Sequence, residues 1–406
     1  MEHLLSLLIF IPLATSLLVM LLPGGKPALY RWVTLLATAA DLALAVWLYV
    51  HFDARKHGIN EADTMQFVER LDWIALSLGD VGRLSIQYFV GVDGLNLPMV
   101  LLAALVLFVG AVSSWNIDQK AKGYHALYLL LAGSIIGCFV ALDFFLFFLF
   151  FEFMLLPMYF LIGIWGGERR EYASIKFLIY TLVGSVCILV VMIMLAFSVQ
   201  SPAGTFTFDL LAMTDPANYL PDALMNAKTP GWFAGNTPRR WAFLLLLVGF
   251  AIKLPAVPLH TWLPDAHVEA PTPISVVLAG ILLKVGGYGL MRIAYPIFPL
   301  EAGLYANVVG MLGGVSIVYG ALNALAAHDL KRMVAYSSVS HMGFVLVGLA
   351  TVTAEGFNGA IFQLFSHGIL SAMLFLIVGV LQDRTHDKTI EHYRGLATKM
   401  PVFASV

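Results

Sequence analysis

Three ionisable side chains stand where nearly everything around them is apolar. Lys253 ends the run FLLLLVGFAIK, Lys284 lies within SVVLAGILLKVGGYG, and Glu152 interrupts FFLFFLFFEFMLLPMYFL. A charge at the centre of a bilayer costs about 2.5–3.5 kcal/mol on insertion scales, so such residues need partners, water or a function. An amine beside a carboxylate suits proton exchange, because desolvation disfavours a charged amine and a nearby carboxylate restores it. A single Lys–Glu pair has a bland alternative, an ion pair that pins two helices, and buried pairs are weak arguments for stability. The second lysine shifts the balance by leaving an amine with no carboxylate of its own. His260, His267, His341 and His367 lie in or beside the same stretches, and imidazole titrates near neutral pH. Each histidine taken singly passes for a packing residue. Asp143, at the start of the Glu152 run, is a weaker candidate for the same relay, and Asp41 reads as a neutral, hydrogen-bonded structural residue.

Pro255 and Pro258 follow Lys253 in AIKLPAVPLHTWLPDAHVEAPTP. Each removes a backbone donor and clashes with the preceding turn, so the helix is predicted to break there. At membrane depth a break is tolerated only against protein or a water-lined cavity, and in transporters such breaks mark the ion path. A haem-carrying electron-transfer subunit, with His341 and His367 as axial ligands, is the redox alternative.

These residues need a scaffold that crosses a membrane many times. Of 406 residues, 60% are hydrophobic and 12% charged, about half the charge of an ordinary soluble domain. That excludes a soluble enzyme and a disordered chain, and the net charge of −2 implies no nucleic-acid partner. The cysteines Cys138 and Cys187 hold no iron–sulfur cluster alone and imply no disulfide framework. There is no phosphate loop, dinucleotide fingerprint or metal-ligand spacing, so no cofactor and no metal is expected in this chain. Apolar runs of about 20 residues, the length of a span, begin and end near 2–22, 29–50, 92–112, 124–142, 143–166, 172–199, 240–263, 272–295, 300–322, 332–353 and 357–381, eleven in all. The first lacks a basic start and a cleavage site, so it reads as a span rather than a signal peptide. Two longer connections, 51–87 and 200–240, read as solvent-exposed, with room for short hairpins. Thirteen basic residues flank the connections after odd-numbered spans, among them Lys331, against eight on the other side, where Arg292 and Lys228 are counted. The positive-inside rule then makes the odd connections cytoplasmic and puts the N-terminus outside. Gly133/Gly137 and Gly310/Gly314 read as helix-packing pairs.

An offset of 185 residues lays Leu161-Ile162-Gly163 on Leu346-Val347-Gly348, Tyr172 on Phe357, and Ile179-Tyr180-Thr181 on Leu364-Phe365-Ser366 without a gap. Span five falls on ten and six on eleven, so the copies face opposite ways, as in many ion translocators. Glu152 falls on Ser337 and Leu156 on His341. The expected organisation is all-α and polytopic: 1–123 with three spans and the exposed loop 51–87, 124–295 as a first five-helix unit, and 300–406 as a second, inverted and incomplete unit. Counterparts of spans seven and eight should follow residue 381, and the ending KMPVFASV looks like the start of another helix, so the chain is expected to be truncated.

The stretch Ala251–Gly289 and HDLKRMVAYSSVSHMG, His328–Gly343, resemble signatures of the proton-translocating antiporter-like subunits of respiratory complex I. FFEFMLLPMYFLIGIWGG, Phe150–Gly167, is similar to the M, or chain 4, branch rather than to L and N. The resemblance covers essentially the whole chain. It implies about fourteen spans in two inverted five-helix bundles, each a half-channel. It matches Glu152 to a fifth-span glutamate, Lys253 to the lysine of the broken seventh helix and Lys284 to the eighth-span lysine. It also makes His260, His341 and His367 relay histidines. The family's acidic exit residue, on a broken twelfth helix, would lie past residue 406. The resemblance further implies a membrane-arm subunit of NADH:quinone oxidoreductase in a bacterial inner membrane, next to L and N subunits. FMN, iron–sulfur clusters and quinone would then belong to partner subunits. Mrp-type cation/proton antiporters and membrane-bound hydrogenases share the same core and are the alternatives, with a purely structural scaffold as a third.

Overall fold

The computed structural model describes residues 3–56, 58–77, 79, 82–201, 204–226, 238–401 and 405, without the side chain of 397. Lys228, part of the 200–240 connection and most of the closing stretch 402–406 lie outside the described residues. Among the described residues, ten helices are long and apolar enough to cross a membrane. They are α1 (Leu4–Leu21), α2 (Pro27–Val50), α3 (Leu97–Ser113), α4 (Ala121–Val140), α5 (Phe144–Trp165) and α6 (Arg170–Ala196), then α8 (Thr272–Ile297), α9 (Ala306–Leu325), α10 (Leu330–Ala350) and α11 (Ala354–Thr385). The seventh expected span is interrupted: α7a (Pro238–Lys253) stops at the lysine and α7b (Trp262–Glu269) resumes after the two prolines. Leucine, valine and isoleucine side chains stay exposed along α6 and α9, a belt that only an apolar medium covers. The chain is a multi-pass membrane protein.

Among the described residues, the helical plan carries one small sheet outside the spans. The connection after α2 folds into an antiparallel hairpin, β1 (Gln66–Ser77) with β2 (Arg83–Val92), and β3 (Phe206–Thr207) pairs parallel to β2. From β1, the Glu69 carboxylate accepts the backbone N–H groups of Leu5 at 2.8 Å and Ser6 at 3.1 Å. Those donors have no partner within the first turn of a helix, so the hairpin caps α1. Asp143 does the same for α5, accepting Leu146 N–H at 3.0 Å while its other oxygen takes Gln87 N–H from β2 at 3.1 Å.

α8 is the centre of the molecule: its most apolar stretch is entirely buried. Two π-turns, Leu278–Leu282 and Leu290–Ala294, bracket Lys284. Such turns widen the helix locally and recur at functional sites. A Cβ at Gly286 would stand 2.7 Å from the Phe250 carbonyl oxygen and 2.6 Å from Leu254 N, so only glycine lets α8 lie against the end of α7a. Gly133 and Gly137 pack on α1 and α5 as expected, but only half of the second pair packs, a Cβ at Gly310 standing 3.4 Å from Ala350 of α10. Gly314 has nothing within 4 Å of a Cβ, whereas Gly313 and Gly343 bring α9 and α10 together, each with the other's carbonyl oxygen within 2.8 Å of its Cβ position. Four-residue spacing marks a helical stripe without saying which side of it a neighbour uses.

Gly343→Ala forces a Cβ to within 2.6 Å of the Gly313 oxygen. Overpacking of this kind costs about 1–3 kcal/mol, so the thermal unfolding midpoint in detergent is expected to fall. Gly314→Ala should stay within about 0.5 kcal/mol of the parent.

Candidate functional site

Lys253 is the last residue of α7a and only 2% exposed. Its Nζ lies 4.1 Å from the centroid of Phe151 and has no hydrogen-bond partner. Glu152, next along α5, is half-buried, with Oε1 enclosed and likewise unpartnered. Its carboxylate acts on Lys253 at a distance, and no ion pair forms between them within 4.0 Å. A structural pin would be closed and saturated, and this pair is neither. The face of an aromatic ring holds a cation without fixing it.

Past Lys253 the backbone groups freed by the prolines find specific partners. The Trp262 indole donates to the Ile252 carbonyl at 2.9 Å, and Val257 N–H donates to Ser316 Oγ of α9 at 3.0 Å. His260 leaves this break between the rings of Tyr319 and Tyr336, at 5.1 and 6.1 Å. α7b is held from three sides. Asp265 accepts Lys176 of α6 at 2.7 Å and Arg332 of α10 at 3.4 Å, and Tyr180 bonds Thr261 at 2.8 Å. At its end, Lys331 donates to the Ala270 carbonyl at 3.0 Å, a cation placed where the helix leaves carbonyls exposed.

The second half of the row crosses α8. Lys284, fully buried, donates to the Ala279 carbonyl, an acceptor freed by the first π-turn, and its Nζ is 2.7 Å from His367 Nδ1 of α11. His341 of α10 follows, its ring centroid 5.2 Å from that of His367. The two rings touch one another, which leaves no gap for a macrocycle between them. His341 is exposed on the outer face and bonds Gln363 at 3.0 Å. His267 is wholly buried and stacks on Phe375 at 4.3 Å. A cleft of about 710 Å³ opens beside it, between the ends of α3, α5, α7b and α11, with Glu269, Thr272, Lys331 and Asp383 in its wall. At its rim the Asp387 carboxylate bonds the His392 imidazole. That bond raises His392 above its ordinary range and holds Asp387 below the usual carboxylate range.

Two cations expected at the surface are buried. Lys331 is 3% exposed, and Arg292, eight residues past Lys284 on α8, is fully enclosed. Arg292 forms a two-pronged pair with Asp93, at 2.6 and 2.7 Å, donates to Tyr288 OH at 3.0 Å and also bonds Asn60. Asp143 sits at the far end of α5, capping the helix, rather than beside the lysines. Thus Lys253 stands at the break within electrostatic reach of Glu152 but not in contact with it, His267, Lys284, His367 and His341 gather around α8, and Asp143 stands apart.

A family model described as NADH:quinone oxidoreductase/Mrp antiporter, TM, matches residues 141–406. The chain belongs to this family. NADH-quinone oxidoreductase subunit M of Rhodobacter capsulatus is 41% identical over 413 aligned residues, covering 100% of this chain and 75% of the relative. NAD(P)H-quinone oxidoreductase chain 4 1 of Synechococcus elongatus is 42% identical, covering 97% of this chain and 68% of its own. A chain in the structure of respiratory complex I from Thermus thermophilus with bound NADH superposes with a TM-score of 0.79 at 29% identity, covering 99% of this chain and 76% of that one.

Within this antiporter-family site, sequence reasoning passed over Asp265, Lys331 and Arg292. Asp265 lay in a segment already rich in polar residues. The one available signal for Arg292 was its eight-residue spacing from Lys284, which puts both on nearly the same side of α8.

Removing one partner of a buried pair strands the other charge at a cost of about 3–5 kcal/mol. Asp93→Leu is therefore expected to lower thermal stability sharply, and adding Arg292→Met should recover most of the loss, as read from unfolding midpoints of the purified complex.

Proposed function

We propose that this chain is a membrane-arm subunit of an NADH:quinone oxidoreductase that moves protons through a Glu/Lys/His row, driven by quinone reduction in other subunits. The observation that carries the reading is the Lys284–His367 contact of 2.7 Å inside the fully buried α8. A saturated structural lysine has no need of an imidazole nitrogen as a bonding partner, and a lysine that hands on a proton does.

The steps follow from the local chemistry. With Glu152 charged and near, the Lys253 ammonium is stabilised. When Glu152 moves off or is neutralised, the desolvated ammonium releases its proton toward the broken helix, where His260 lies. Lys284 donates to His367 Nδ1, and His341 carries the proton on. The 710 Å³ cleft beside His267 admits water to the row from the side of the 166–170 and 383–388 turns. In this reading those turns face the bacterial cytoplasm, the N-terminus faces the periplasm, and the membrane is the inner one. Residues 124–295 and 300–406 act as two opposed half-channels. L-type and N-type subunits are the lateral neighbours, and flavin, iron–sulfur clusters and quinone reside in other subunits. The family's span from oxidoreductases to Mrp antiporters leaves the transported ion to be distinguished by sodium dependence.

In proteoliposomes of the whole complex, Lys253→Met is expected to abolish proton uptake while NADH binding survives; normal pumping by that variant would sink the proposal. Because charge is the operative feature, Glu152→Asp should retain more pumping than Glu152→Gln. Equal loss in both would count against an electrostatic role.

A further inference from the structure

Most of the buried polar atoms without a hydrogen-bond partner gather in two places among the described residues, with Tyr295 OH, Glu301 Oε2 and Gln382 Oε1 outside them. One is the row just described, at Glu152, Lys253, His260, His267 and His367. The other lies in α2 and α4: Arg31 Nε, Thr34 Oγ1, both carboxylate oxygens of Asp41 and both ring nitrogens of His125. Leaving one such group unpaired costs about 1–3 kcal/mol, and more where it is charged. This second group precedes the stretch that the family model matches, which begins at residue 141.

Arg31, Thr34, Thr38 and Asp41 recur at the spacing of one helical face, the face that α2 turns inward. His125 enters this face from α4, close enough for the charge of Arg31 to act on its ring. Arg31 reaches outward to pair with Asp118, in the turn between α3 and α4. Thr38 Oγ1 is turned back to the Thr34 carbonyl at 3.0 Å. The ten residues from Arg31 to Asp41 rise about 15 Å, so the polar file runs from one membrane face to the middle of the bilayer and ends at a carboxyl group.

No neighbouring charge neutralises that carboxyl. α1 and α3, which pack on α2, carry no titratable side chain over their described lengths. α4 brings Lys122, Tyr124, His125, Tyr128 and Cys138. Tyr124 is committed to Ser114 at 2.9 Å and Tyr128 to the Leu107 carbonyl at 2.6 Å. Lys122 is partly exposed near the turn, and Cys138 lies at the opposite end of the helix. The buried aspartates with structural duties look different. Asp93 takes both prongs of Arg292 and two backbone N–H groups, and Asp143 takes two backbone N–H groups. Asp41, 2% exposed, takes none. The hydrogen-bonded role expected for it from sequence is not what the fold provides.

We propose that Asp41 is a second protonation site, off the main row, loaded from the face that carries the 114–121 turn. A proton from that face passes Arg31, His125 and Thr34 through bridging waters and converts the Asp41 carboxylate to a carboxylic acid; its return reverses the step. Polar lining of this kind is what a buried water needs, and a neutral acid removes the cost of an isolated charge.

The test is infrared difference spectroscopy of the intact complex in lipid. The carboxylic-acid C=O stretch of Asp41 should vanish in Asp41→Asn and persist in Glu152→Gln. If Asp41→Asn fails to assemble, Asp41→Glu should shift the band rather than remove it. Thr34→Val combined with His125→Phe should slow hydrogen–deuterium exchange of that band by about tenfold, the worth of one lost hydrogen-bonded link. Spectra without an Asp41-dependent acid band overturn the site. Exchange at the parental rate in the double variant overturns the route.

Discussion

An ammonium removed from water costs more than any one packing contact returns, and the interior of this protein answers that constraint in several ways. Every guanidinium nitrogen of Arg292 has an acceptor, on Asp93, Asn60 or Tyr288. Lys331 rests on the carbonyl end of α7b. Lys253 has only the face of Phe151 and a distant carboxylate, and Lys284 has one carbonyl and one imidazole. The gradation separates roles. Arg292, bonded at every guanidinium nitrogen, holds helices together, and on the proposed reading the lack of a paired carboxylate at Lys253 and Lys284 is what lets them exchange a proton. The enclosed α8, its two π-turns and its glycine contact with α7a all serve to keep Lys284 dry while supplying it with Ala279 and His367.

How much of this was legible in the sequence follows from how local each signal is. Apolar runs fixed the spans to within a few residues, because a bilayer demands length and little else. The break after Lys253 was legible because two prolines announce it chemically. The hairpin begins inside the 51–87 connection read as exposed but runs on to Val92, and its second strand is mostly buried, because it packs under the helices rather than in solvent. Arg292 was misplaced because an arginine near the end of an apolar run looks like one that reaches to the surface, and the residue that holds it inside, Asp93, stands 199 positions away. Asp41 was misjudged for a related reason. A lone acid in an apolar run is bonded in most proteins, and only the packing of α1, α3 and α4 around it reveals that nothing bonds it here. The candidate relay residues were readable by type. Their connectivity was not, since the contact of Lys284 with His367 joins helices 83 residues apart.

The pinning of α7b bears on how the row can work. A broken helix invites the idea of a swinging half. Yet Asp265 ties this half to α6 and α10, Tyr180 ties its start, Lys331 its end, and Glu269 accepts the Arg169 N–H at 2.9 Å. Moving α7b as a body would break these links together, at several kcal/mol for charge-assisted bonds alone. The loosely held elements are side chains: Glu152, Lys253 and His267 occupy enclosed positions with unpartnered polar atoms. A swing of the Glu152 carboxylate would change the field at Lys253 without disturbing the backbone. On the proposed reading, the break is a fixed breach in the hydrogen-bond ladder, lined with polar atoms, that would let a proton pass while the helices stay in place.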